Sequence, residues 1–195
     1  MSLDIYVYVE NIDDSLIPLW VEKLNQRDMK CEIHPEFSFA TASGYLPFKI
    51  ELRDSKRKEL LNNEFTSGFE LDIDDFNLED EIQDSKPKQN LVNKILSRKS
   101  SPVYYVNSEI DEKLKKCSKI LYFRWGSSYD IFELRMALLS SATLAVLTNG
   151  VCYDPQDDIW YDNSTIIEDA LKEVRKYENL LEPDELKWEK FEEWL

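Results

Sequence analysis

Residues 119–161, KILYFRWGSSYDIFELRMALLSSATLAVLTNGVCYDPQDDIWY, decide how this chain folds. Ile120 to Phe123 is an apolar run of strand length. Asp130, with Glu133 three residues on, supplies acceptors for the free amides of a first helical turn. Leu134 to Leu147 is apolar on nearly every side, which predicts a buried helix and not a surface one. Asn149-Gly150 tolerates the backbone angles that end a helix and turns the chain into Val151-Cys152-Tyr153, the first arm of a hairpin that closes by Tyr161. The expected order is strand, turn, buried helix, hairpin.

Upstream, Leu3, Ile5, Val7 and Val9 alternate with polar or aromatic residues at the period of a strand. Asn11 to Ser15 reads as a helix start, with Pro18 tolerable in the first turn and Leu16, Trp20, Val21 and Leu24 on one face. Two further strands follow, around Met29 to Ile33 and around Phe48 to Leu52. Residues 3–52 and 119–161 therefore share the order strand, helix, strand, strand. A fourth strand is marked by Phe69, Leu71 and Ile73, with Glu70, Asp72 and Asp74 on its other face. Gln89 to Ser97 fits a short helix and Pro102 to Val106 a short strand, while Glu109 to Lys116 fits a charged helix. Thr165 and Glu168 form a capping-box pattern before a helix lined by Ile167, Ala170, Leu171 and Val174.

These elements predict an α+β protein, mostly antiparallel sheet with helices packed on one face, built either as two ferredoxin-like βαββ halves or as one enlarged sheet. Acidic residues dominate from Asp74 to Asp84 and basic ones from Lys86 to Lys99. That switch is the natural joint between an N-terminal half, residues 1–85, and a C-terminal half, residues 86–195, if the chain is not a single domain. The tail from Glu182 to Leu195 is acidic and amphipathic, and its tryptophans Trp188 and Trp194 need a surface, either their own domain or a partner.

Composition narrows the function. The 195 residues include 39 acidic against 24 basic side chains, a formal net charge of -15. Such a field repels nucleic acid and anionic membrane and attracts basic proteins. Cys31, Cys117 and Cys152 are few, odd in number and widely spaced, the pattern of reduced thiols in a cytoplasmic protein. No apolar run is long enough to span a bilayer, and no signal peptide is apparent at the N-terminus. His34 is the sole histidine, which leaves little room for histidine-based hydrolysis. Cys31 and His34 are an odd number of residues apart on a strand, so their side chains point to opposite faces. The scatter of Cys31, His34, Cys117 and Cys152 lacks the close pairs of a zinc site. Asp154, Asp157, Asp158 and Asp162 crowd the hairpin, yet Asp-Pro-Gln-Asp-Asp is a good turn sequence in its own right. No catalytic residue, cofactor or metal is expected.

Two candidate sites remain. Carboxylates at Glu70, Asp72 and Asp74 project from one strand face about 7 Å apart, close to the spacing of phosphates along a nucleic-acid strand. With Asp75, Glu79, Asp80 and Glu81, and Phe76 as an apolar anchor, they would suit an acidic inhibitor or immunity-type protein that masks the cleft of a basic toxin or nuclease. The alternative is a small-molecule or anion-binding regulatory module in which Arg124, Ser127, Ser128 and Arg135 surround the start of the central helix, beside Tyr122, Trp125 and Tyr129.

Overall fold

A computed structural model of the chain describes residues 2–84, 108–126, 130–182 and 187–194. In chain order they form β1 (Ser2–Val9), α1 (Ile17–Asn25), β2 (Met29–Ile33), β3 (Tyr45–Leu52), β4 (Phe65–Asp75), α2 (Leu78–Asp84), α3 (Ser108–Leu114), β5 (Lys119–Gly126), α4 (Glu133–Leu147), β6 (Val151–Asp154), β7 (Ile159–Trp160), α5 (Ile166–Leu180) and β8 (Glu189–Lys190). The helix expected at Gln89 to Ser97 and the strand at Pro102 to Val106 lie outside the described residues.

The strands make one sheet in the order β2-β3-β4-β5-β1-β6-β7, and β8 pairs with β4. Every strand pairing is antiparallel. The architecture is α+β. β1, from the N-terminal half, lies between β5 and β6, so strands from both halves of the chain share one sheet.

Strand alternation sorts the side chains onto two faces. Ile5, Val7 and Val9 of β1, Leu121 and Phe123 of β5, Phe65, Phe69 and Leu71 of β4, and Phe48 and Ile50 of β3 are buried in one cluster with Trp20 of α1 and Met136, Leu139 and Leu144 of α4. α4 is buried on almost all sides, because it packs on the sheet and is flanked by α1 and α5. Trp20 Nε1 donates to the Ser140 carbonyl at 3.2 Å, which satisfies the indole in this interior. Each large side chain buried here contributes on the order of 1.5–3 kcal/mol.

The ends of α4 differ in detail from the sequence expectation. Asp130 accepts from the Phe132 amide at 2.9 Å, and Glu133 reaches back to the Gly126 amide at 3.0 Å. The two carboxylates tie the helix start to the end of β5 and do not close a reciprocal box. At the other end Asn149 takes the positive φ, 50°. Gly150 serves a different need, since a Cβ there would sit 2.4 Å from the Tyr8 carbonyl oxygen. The helix stops where its end must touch β1. Thr165 makes no side-chain cap on α5. The Asp162 side chain accepts from Ser164 N at 2.8 Å in the turn that precedes the helix, and Glu168 pairs instead with Arg27 at 3.2 Å.

The opposite face of the sheet carries a smaller cluster of Tyr8, Phe76, Leu78, Leu114, Ile120 and Val151, covered by the short helices α2 and α3. The C-terminal tail docks on its own chain. Ile131 N donates to Lys187 O at 3.1 Å and Phe191 N to Glu64 O at 3.0 Å. Trp188 packs edge-on to Phe65, and Trp194 packs against His34 and Phe191.

Candidate protein interface

β4 is long, and its C-terminal part carries the acidic residues beyond the end of β3. The last β3 pairing is Tyr45 with Glu70, and Gly44, at φ +96°, then turns the chain away. Beyond Leu71, whose N–H still donates to Gly44 O at 2.8 Å, residues 72 to 75 run past the end of β3 on that side while pairing with β5 on the other. Glu70, Asp72 and Asp74 share one face, as the alternation requires.

The same face receives Arg124 from β5 and Asp4 from β1, because Glu70 and Asp4 both lie opposite Arg124 in the sheet. The guanidinium contacts Asp4 at 3.2 Å, Glu70 at 3.2 Å and Asp72 at 3.3 Å. Asp72 also accepts from Ser43 Oγ at 3.0 Å and from Gly44 N at 3.3 Å. One cation therefore serves three carboxylates, in a half-exposed setting where each pair is worth about 0–1 kcal/mol. Asp75 pairs with Lys119 at 2.7 Å, and that hydrogen bond holds its carboxyl below the usual range. Asp74, Glu79, Asp80 and Glu81 are exposed and make no ion pair with any described residue. Glu79, Asp80 and Glu81 occupy the first turn of α2, where negative charge favours the helix.

Phe76 departs from the role given to it. It is 6% exposed, stacks edge-on to Tyr8 at 4.8 Å and belongs to the smaller core. It packs with Tyr8, Ile120, Leu78 and Leu114 in the cluster covered by α2 and α3, so its ring is not exposed. Partly buried aromatics do line the face beside the acidic row. Tyr6 lies 5.0 Å from Tyr122 and 6.2 Å from Tyr153, which stacks on Trp160 at 4.3 Å.

Comparison with known protein families, with curated proteins and with solved structures finds no match to this chain. The site is read from its own chemistry.

The arginines of the alternative site are not brought together. Arg124 points to the face of Tyr122's strand neighbours Tyr6 and Asp72, whereas α4 covers the other face, that of Phe123. Arg135 is 1% exposed and bonds Asp28 at 2.6 Å and Glu178 at 2.7 and 2.8 Å. Both guanidiniums are committed to carboxylates on opposite sides of the sheet. Ser127, Ser128 and Tyr129 lie outside the described residues. A cleft of about 390 Å³ does lie beside the helix start, lined by Tyr45, Thr66, Asp130, Glu133, Lys187, Trp188 and Glu189. Burial pushes the Asp130 carboxyl up to about 6, and it raises Glu133 as well. Carboxyls outnumber the single lysine there, a lining that disfavours an anion.

The remaining polar candidates are accounted for locally. Asp154 accepts from Gln156 N at 2.8 Å and Asp157 N at 3.2 Å, and Asp158 from the Tyr153 hydroxyl at 2.9 Å, so these aspartates build the turn. Among the described residues no group of three or more His, Cys, Asp and Glu is arranged to hold a metal ion. The cysteines are free thiols, with Cys31 pushed up to about 12 and Cys117 to about 11, burial being the main cause of each. Among the described residues no helix is long and apolar enough to cross a membrane.

Sequence reasoning missed Asp4 as a member of the acidic face and Arg124 as its counter-ion. Alternation along β1 shows that Asp4 faces away from the core. What it does not show is that β1, β5 and β4 lie side by side.

Proposed function

We propose that this chain is a non-enzymatic acidic interaction protein of the immunity or inhibitor type, acting in the cytoplasm by masking a basic protein such as a toxin or nuclease. The observation that carries this reading is the exposed run Asp74, Glu79, Asp80 and Glu81, which continues the row of Glu70 and Asp72 and has no cation of its own among the described residues. Residues 70–84 hold no lysine or arginine at all. Excess carboxylates held on a rigid strand and helix start need no rearrangement to meet a cationic surface. They accelerate encounter and reject acidic competitors. Tyr6, Tyr122 and Tyr153 on the same face add the aromatic area that interfaces favour.

The test is capture from the native host with the wild-type chain and with the variant Asp74→Asn, Glu79→Gln, Asp80→Asn, Glu81→Gln. The expected result is a basic protein retained by the wild type and lost by the variant, whose activity the wild type suppresses in solution. Equal retention by both chains contradicts the proposal.

A further inference from the structure

Strand edges in this sheet differ in how they are closed. On the outer edge of β2, the Asn25 side chain both accepts from Cys31 N at 2.7 Å and donates to Cys31 O at 3.0 Å, imitating a neighbouring strand. On β1, beyond the end of β6, Gln156 Oε1 accepts from Asp4 N at 3.1 Å. Each of these edges is plugged by a side-chain amide, a common protection against unwanted pairing. Among the described residues, the edge of β4 beyond β3 has no such plug.

Its geometry follows from the bonds at both sides. Leu71 N donates to Gly44 O at 2.8 Å, so the odd residues of β4 direct their backbone groups toward the β3 side. Phe76 N donates to Ser118 O at 2.8 Å, placing the even ones toward β5. Ile73 and Asp75, whose strand partner on the other side is β5, therefore point N–H and C=O toward the β3 side, and no described residue bonds to those outward groups. Asp72 and Asp74 project on one side of this edge and the partly buried Ile73 on the other.

Resting on the acidic-interface reading, we propose that the partner binds as an added strand, an extended basic segment that pairs with Ile73 and Asp75 in continuation of the line of β3. Backbone pairing supplies the register. Alternation then requires lysine or arginine on the face of Asp72 and Asp74, and small or apolar residues on the face of Ile73. The acidic flank keeps neutral and acidic strands off an edge that is otherwise open to them.

The probe is a short synthetic peptide of alternating lysine and valine, compared with its fully N-methylated counterpart, which keeps the charge and has no N–H to donate. Amide hydrogen exchange of the full chain is read residue by residue. The unmethylated peptide is expected to slow exchange at Ile73 and Asp75 about tenfold or more, and the methylated one to leave both unchanged. Equal binding of the two peptides, or protection that spares Ile73 and Asp75, overturns strand addition. The acidic reading fails separately, if the unmethylated peptide binds the Asp74→Asn, Glu79→Gln, Asp80→Asn, Glu81→Gln variant as tightly as the wild type.

Discussion

A carboxyl that folding moves out of water holds its proton to higher pH, and Asp130 is in that position at the start of α4. Burial raises it to about 6, while an unfolded aspartate titrates near about 3.9. The folded state is then the better proton binder between these values. The contribution of Asp130 to stability is complete below about pH 4 and is lost as pH rises through about 6. Asp130→Asn keeps an oxygen for the Phe132 amide and removes the titration. Its stability relative to wild type is expected to improve by about 2–3 kcal/mol between pH 4 and pH 7, read from urea midpoints across that range. Some slope remains in the variant, because Glu133 is raised in the same sense. The sequence placed both carboxyls at the helix start. Their desolvation was not legible there, since it depends on the tail packing beside them through Lys187 to Glu189.

Elements are joined across the molecule by the Arg135 cluster. Arg135 of α4 reaches Asp28, in the turn between α1 and β2, and Glu178 of α5, while Arg175 of α5 also contacts Asp28 at 3.2 Å. Removing the arginine leaves two largely buried carboxylates facing one another. Arg135→Met is expected to cost about 3–5 kcal/mol in denaturant unfolding, and adding Glu178→Leu is expected to recover part of it. A cation inside the apolar run 134–147 was the signal that it must be paired in the interior. Its partners lie far away in sequence, and nothing local names them. The elements themselves were more legible. β1, α1, β2, β3, β5, α4 and the β6–β7 hairpin follow from periodicity and turn chemistry. β8 is two residues long and forms only because β4 offers Phe65 and Thr66 to pair with, so its sequence carries no strand pattern.

At the scale of the whole molecule, charge is the property that reaches furthest from the surface. The net charge of -15 is read directly from the sequence, but its arrangement is not. Strand order brings Asp4 next to Glu70 and Asp72, assigns Arg124 to all three, turns Phe76 inward and leaves Asp74 and the first turn of α2 facing water. A surface of this kind acts on a basic partner before contact, so its effect belongs in the association rate. The most direct measurement is stopped-flow association of the captured basic partner with the wild-type chain at low and at high salt. The rate is expected to fall about tenfold or more as salt rises from ~0.02 M to ~0.5 M, and the variant neutralised at Asp74, Glu79, Asp80 and Glu81 is expected to start slower and fall less. A wild-type rate that does not change with salt would contradict recognition through the acidic edge of β4.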